Sequence, residues 1–217
     1  MTQPRDVPQL FTQRVASYVR FVRFVFYPQA LRAYFLESPL LRSGLRVLDA
    51  GCGTGVVTLA LRQALLRRGF SPATLHGFDL TPAMLEHFRA TLQRRAIEGV
   101  ELATADVLQL DTLQATWGGY DLIVSASMME YLPRERLADA LAGLRRLLNG
   151  NGSLLLFITR RNWLMRPLIG RWWESNLYTA PELQEAFARA GFSNIKFGAF
   201  PRRYRYFTLW GHIVEAT

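Results

Sequence analysis

The stretch that most constrains this chain is Val47-Leu48-Asp49-Ala50-Gly51-Cys52-Gly53-Thr54-Gly55. Apolar and small residues run into an aspartate, three glycines then alternate with short side chains, and a helical apolar pattern follows from Val56 to Arg68. The order is strand, tight turn, helix. Glycine serves where a backbone turns sharply or lets another molecule lie against it, so the turn points to a ligand.

Strand and helix patterns alternate from Leu45 onward, which predicts a mainly parallel sheet covered on both faces. Strand Arg46 to Ala50 leads into helix Val56 to Arg68, with Gly69 placed to end it. Strand Thr74 to Phe78 ends in Asp79, and Thr81-Pro82 starts a helix running to about Glu98. Strand Val100 to Thr104 reaches Asp106, and a short helix is expected between Asp111 and Gly119. Strand Tyr120 to Ser125 passes through the loop Ala126 to Pro133 into helix Arg134 to Leu148, which stops at the turn signals of Asn149-Gly150-Asn151-Gly152. Ser153 to Thr159 is a buried strand, and Thr179-Ala180-Pro181-Glu182 opens a helix to Ala190 with the spacing of a capping box. Strands Asn194 to Phe200 and Thr208 to Ala216, joined by a short link, close the chain as an antiparallel pair. The fold class is therefore α/β, a Rossmann-like doubly wound sheet of seven strands, mostly parallel with a C-terminal antiparallel hairpin, preceded by N-terminal helices.

Ahead of the sheet, Phe11, Val15, Tyr18, Val22, Val25 and Phe26 share one face of a helix spanning Gln9 to Tyr27. Pro28 should end or kink it, and a second short helix spans Gln29 to Leu36. Packing on the domain, closing over a site as a lid, and dipping into a membrane surface are all open to this segment. The expected organisation is a helical lid over residues 1–44 and a domain over 45–217, acting as one globular unit.

The net charge of +9 bears on partners only through its distribution. Residues 1–46 carry seven basic and two acidic residues, residues 47–150 ten and eleven, and residues 151–217 nine and four. Basicity belongs to the flanks, and arginine supplies nearly all of it, as either a GC-rich genome or an anionic partner would produce. With Cys52 the only cysteine, no internal disulfide is possible, and no apolar run approaches the roughly 20 residues of a membrane span. A cytoplasmic protein is expected, with peripheral contact at a membrane surface through the N-terminal amphipathic helix as an option.

In a doubly wound sheet, ligands bind outside the carboxyl ends of the strands, where strand order reverses. Asp49, Asp79, Asp106 and Ser125 fall along that rim. A dinucleotide wants G-x-G-x-x-G, whereas here the third glycine comes one residue early, at Gly55, and Asp49 would repel a pyrophosphate. S-adenosylmethionine carries no phosphate, and its sulfonium, ammonium and ribose diol suit carboxylates, while its own carboxylate suits a helix N-terminus.

The Val47 to Gly55 stretch resembles motif I of class I S-adenosylmethionine-dependent methyltransferases of the small-molecule type. The resemblance continues through Gly77-Phe78-Asp79-Leu80-Thr81-Pro82-Ala83-Met84-Leu85, Ala105-Asp106-Val107, Tyr120 to Ser125 and Leu147 to Phe157, in order and spacing. It implies that Asp49 and the turn Gly51-Cys52-Gly53-Thr54-Gly55 hold the methionyl end, with Cys52 needing no chemical role. It further implies Asp79 on the ribose hydroxyls, Leu80 and Met84 against adenine, Asp106 with Val107 at the adenine amino group, and Ser125 facing the methionine portion.

The reaction so implied is direct in-line methyl transfer, with a base needed only for acceptors that must lose a proton. After the fourth strand, Met128, Glu130 and Tyr131 are the nearest side chains; Glu130 and Tyr131 are the catalytic candidates, with Glu130 favoured as base or substrate contact. No metal is expected, since His76, His87 and His212 sit at unrelated places. Ser125-Ala126-Ser127-Met128 lacks the Asn/Asp-Pro-Pro of enzymes that methylate nucleic-acid amino groups, and no Pro-Cys pair is present for pyrimidine carbon-5. The expected acceptor is a hydrophobic or aromatic small molecule, lipid- or quinone-like, in a pocket drawn from Tyr18, Phe21, Met128, Trp163, Trp173 and Tyr178. An RNA methyltransferase using the basic flanks, a non-catalytic membrane-surface or partner-binding protein, and, more distantly, an NAD-dependent oxidoreductase are the alternatives.

Overall fold

The structure, a computed structural model, describes residues 17, 19–167 and 175–217. Its centre is one seven-stranded sheet in the order β3-β2-β1-β4-β5-β7-β6. The strands are β1 (Arg46–Ala50), β2 (Thr74–Asp79), β3 (Val100–Thr104), β4 (Tyr120–Ala126), β5 (Leu148–Thr159), β6 (Ile195–Gly198) and β7 (Gly211–Ala216). The first five run parallel, and β7 pairs antiparallel with both β5 and β6. Strand order reverses between β1 and β4, so the crevice for a ligand lies above the carboxyl ends of those two strands.

Alternating residues of the central strands feed two cores. On one face, Leu48, Ile123, Leu154 and Leu156 pack with Leu137, Leu141 and Leu144 of α4 (Leu137–Leu147) and with Leu183 and Phe187 of α5 (Ala180–Arg189). On the other, Val47, Leu122, Val124, Leu155 and Phe157 meet Leu61 and Leu65 of α2 (Val56–Arg67) and Leu31 and Phe35 of α1 (Tyr27–Glu37). Each such fully buried side chain contributes roughly 1.5–3 kcal/mol over its exposed state. A third cluster holds Cys52 against Leu85, Phe88 and Leu92 of α3 (Pro82–Arg94).

Several local expectations are corrected. The N-terminal helix was expected to end at Pro28, but the break comes earlier, at Phe26 with φ 62°, and Pro28 sits in the first turn of α1, where its missing N–H costs nothing. Residues 11, 15 and 18 of the expected apolar face lie outside the described residues. The turn signals at Asn149 to Gly152 do not break the chain: β5 begins at Leu148, and a register shift against β4 between Tyr120 and Leu122 absorbs the extra residues. Helix α3 ends at Arg94, and Ala96 turns through φ 48°. Strands β6 and β7 are shorter than expected because Arg202–Leu209 coils into 3-10 turns. Thr179 and Glu182 do form the reciprocal capping box of α5.

Candidate active site

Two adjoining clefts open above the carboxyl ends of the strands. The first is lined by Gly51 and Gly53 after β1, Phe78 to Thr81 and Met84 after β2, Ala105 to Val107 after β3, and Ala126, Ser127, Met128, Tyr131 and Leu132 after β4. Its walls are apolar, with carboxylates placed at intervals. Asp79 Oδ2 accepts from the Gly53 N–H at 2.9 Å and Oδ1 from the Thr81 N–H at 2.8 Å, so the side chain ties the glycine turn to the start of α3. Burial pushes its carboxyl above the usual range, and the backbone donors pull it back. Asp106 Oδ1 accepts from the Leu108 N–H at 2.9 Å.

The glycine turn needs its glycines for different reasons. Gly51 and Gly53 have φ of 75° and 51°, a region costly for side-chain-bearing residues. A Cβ on Gly51 would stand 2.5 Å from Met128 Cβ, so this glycine lets the β4 loop cross close above the turn. Gly55 does not line the cleft. With φ 83° it starts α2, and a Cβ there would overlap the Phe88 ring of α3.

With Gly55, three more of the residues expected at the cofactor do not line this cleft. Cys52 is buried behind the turn, its Sγ facing Gly77 of β2, and it has no surface in the cleft. Asp49 lies beneath the turn: Oδ2 accepts from the Thr58 N–H at 3.0 Å and its hydroxyl at 2.5 Å, anchoring the first turn of α2. Ser125 is fully buried because β4 extends one residue further, and Ala126, Ser127 and Met128 reach the cleft instead. Asp49 Oδ1 and Ser125 Oγ are both buried without a hydrogen-bond partner, on neighbouring strand ends below the cleft floor. Burial pushes the Asp49 carboxyl up to about 7, against the two Thr58 hydrogen bonds.

The second cleft is lined mostly by apolar side chains. Phe21, Val22, Val25 and Tyr27 from the N-terminal segment cover one side, and Phe157, Phe200, Phe207 and Trp210 form the other. Ser127 and Tyr131 line both clefts and mark their junction. Glu130 lies at this junction, 1% exposed, with Oε2 accepting from the Thr159 N–H at 3.0 Å and Oε1 from the Thr159 hydroxyl at 2.8 Å. The carboxylate thus stands where β4 would otherwise continue beside β5. Burial raises its pKa to about 7, the Thr159 hydrogen bonds opposing.

Of the expected pocket residues, Phe21 lines the second cleft and Met128 the first. Trp163 does not: it follows β5 on a surface turn and is 83% exposed. Tyr178 lines neither cleft, being packed in the core under the Arg134 guanidinium. Tyr18 and Trp173 lie outside the described residues. Thr81, Ser127 and Leu132 were missed: Thr81 was read only as a helix start, and Ser127 and Leu132 lie in the loop past β4. Among the described residues, no group of three His, Cys, Asp or Glu side chains is placed to hold a metal ion.

A seven-stranded sheet of this order, with a glycine turn over its switch point and carboxylates at successive strand ends, defines a Rossmann-like nucleoside-binding protein. Residues 47–152 match the methyltransferase domain family. The chain is 28% identical over 142 residues to aklanonic acid methyltransferase DauC of Streptomyces sp. (strain C5), covering 65% of this chain and 58% of that protein. It is 34% identical over 91 residues to a ubiquinone biosynthesis O-methyltransferase of Acinetobacter baumannii, covering 42% and 35%. The chain thus spans between about a third and three-fifths of these curated relatives. Among solved structures, magnesium protoporphyrin IX methyltransferase of Synechocystis PCC 6803 with bound S-adenosylhomocysteine superposes with a TM-score of 0.68 at 19% identity, covering 97% of this chain and 96% of that one. Over residues 47–152, and in its fold, the chain is similar to S-adenosylmethionine-dependent methyltransferases.

The residues present fit the cofactor of that class. The cleft is a slot of apolar side chains with two carboxylates, Asp79 and Asp106, on its β2–β3 side, suited to adenosine, and two orphaned polar atoms, Asp49 Oδ1 and Ser125 Oγ, lie beneath its β1–β4 side. Leu80, 42% exposed in the slot wall, gains burial when a flat base lies against it.

Proposed function

We propose that the protein transfers a methyl group from S-adenosylmethionine to a hydrophobic or aromatic small molecule, lipid- or quinone-like, held in the apolar cleft. The observation that supports this reading is the sharing of Ser127 and Tyr131 by the two clefts, since an apolar acceptor in one would then lie beside a cofactor in the other. Asp79 would hold the ribose hydroxyls, Asp106 and Val107 the adenine edge, and Gly51 and Gly53 the methionyl end. When bound, the cofactor supplies a methyl group already activated by its sulfonium. The protein orients the acceptor and excludes water, which can account for most of the rate. For a hydroxyl acceptor, the ionised Glu130 takes the proton, and Tyr131 contacts the acceptor at the junction.

Phe21, Val22, Val25 and Tyr27 cover the apolar cleft, and the stretch that carries them acts as its lid. An RNA acceptor is disfavoured by the apolar character of that cleft. Calorimetry with S-adenosylhomocysteine, followed by turnover assays on phenols and quinols of increasing chain length, tests the reading. Micromolar cofactor-product binding with turnover rising with acceptor hydrophobicity is expected. No binding of S-adenosylhomocysteine would overturn it.

A further inference from the structure

Six large apolar side chains stand exposed around the mouth of the apolar cleft: Phe24, Phe26, Trp163, Leu164, Tyr206 and Leu209. They come from three separate segments that hydrogen bonds bring to one rim. Tyr206 Oη donates to the Val25 carbonyl at 3.2 Å, Asn162 Nδ2 to the Leu209 carbonyl at 2.6 Å, and the Arg160 N–H to the Trp210 carbonyl at 2.8 Å. Phe21 and Trp210, rings 6.2 Å apart, line the cleft just inside.

Charge is as one-sided as the aromatics. Residues 19–36, 160–167 and 199–214 hold no aspartate or glutamate and nine arginines, of which Arg161 is paired with Glu182 of α5 and Arg32 lies against Gln63 of α2. Arg20, Arg23, Arg202, Arg203 and Arg205 are exposed. Backbone geometry adds an independent sign: Phe26, a bulky residue, is held at φ 62° with its side chain 57% exposed. Neither packing nor turn chemistry favours phenylalanine in that conformation, since glycine or asparagine would fit without strain.

We propose that this composite face docks on an anionic phospholipid bilayer, so that the mouth of the apolar cleft opens onto the membrane. Aromatic and aliphatic side chains interleaved with arginines match the headgroup and acyl boundary of such a surface. A second copy of this chain fits poorly, because a two-fold contact would set arginine against arginine. The face extends beyond the N-terminal helix to the 162–164 turn and the 202–209 coil, and its docking stands apart from catalysis. Only delivery of a membrane-dissolved acceptor rests on the proposed methyl transfer.

Flotation of the full chain with vesicles of phosphatidylcholine plus phosphatidylserine, against phosphatidylcholine alone, tests docking. Binding is expected only to the anionic vesicles, falling as salt is raised. The triple variant R202Q/R203Q/R205Q is expected to bind on the order of a hundredfold more weakly, from about fivefold per arginine at a charged surface. Phe24→Ser with Trp163→Ser is expected to lose at least about tenfold, since both side chains would leave the interface. Phe26→Asn relieves the backbone rather than burdening it, so weaker flotation at an unchanged or higher melting temperature reports the surface and not the fold. Equal binding to neutral and anionic vesicles, undiminished flotation of all three variants, or displacement of the protein from vesicles by single-stranded RNA would overturn the proposal. Calorimetry with S-adenosylhomocysteine on the same samples separates the two readings: its failure alongside intact flotation sinks methyl transfer and leaves the membrane face standing.

Discussion

Replacing Glu130 with glutamine tests how a buried carboxyl at the cleft junction governs both stability and turnover. Glu130 is 1% exposed, and burial lifts its pKa from 4.5 to about 7. A raised folded pKa means that the native state holds the proton more tightly than the unfolded chain. The stabilisation from that proton is full below about pH 4.5 and is lost as pH rises through about 7. With these two values, the wild type should lose about 2.5 kcal/mol of stability through this one group between pH 5 and pH 8. Glutamine cannot titrate, so Glu130→Gln should lack that loss, while Asp49, which titrates in the same range, contributes equally to both proteins and cancels. Urea unfolding of the two proteins at pH 5 and pH 8 measures the difference directly. Turnover of a hydroxyl acceptor should move the opposite way in the wild type, rising through about pH 7 as the carboxylate forms, and should fall by about 10²–10⁴-fold in Glu130→Gln. Parallel stability losses in wild type and variant would refute the buried titration, and unchanged turnover would refute the base.

Gly51→Ala should abolish S-adenosylhomocysteine binding in calorimetry, because its φ of 75° is strained for alanine and the new Cβ would meet Met128 across the turn. Asp79→Asn should weaken that binding about 10–100-fold, by loss of charge-assisted hydrogen bonds of roughly 1.5–3 kcal/mol, and should also lower the melting temperature, since one of the two backbone acceptors that tie the turn to α3 is lost. Gly55→Ala should instead act on the fold, lowering stability by about 3 kcal/mol or more in chemical denaturation, since its Cβ would strike the Phe88 ring of α3.

Why some of this was legible in the sequence and some was not follows from the range of the forces involved. The β1 turn, the strand ends at Asp79 and Asp106, and the Thr179–Glu182 capping box are local: glycine conformation, strand period and helix capping all act within a few residues. The same locality misled at Asp49 and Ser125. A strand-end position says that a side chain is near the rim, but whether it faces the cleft or the helix above depends on tertiary partners, here Thr58 and the extra residue of β4. Trp163 was expected in the pocket from its place after the fifth strand in the family that the sequence resembles, yet orientation on a surface turn leaves it in solvent. The apolar cleft itself was least visible, because Val22, Phe157, Phe200 and Phe207 meet only after residues nearly two hundred positions apart are folded together.

Ser127 marks the place where local strain and function coincide. It follows β4 with φ 53°, its N–H donating to the Phe157 carbonyl at 3.0 Å, and it lines both clefts. A serine in the left-handed region costs about 1 kcal/mol relative to glycine, and such strain persists where neighbouring structure holds it in place. Here the hydrogen bond to β5 and the close crossing of Met128 over Gly51 fix the loop, so the strained residue is held at the junction of the two clefts. Ser127→Gly removes both the strain and the hydroxyl. It should therefore leave stability unchanged or raise it by up to about 1 kcal/mol, while lowering kcat for the methyl acceptor and sparing S-adenosylhomocysteine affinity. Thermal unfolding and steady-state kinetics on one preparation decide the matter, and a variant that is less stable yet fully active would show that Ser127 is held for packing alone.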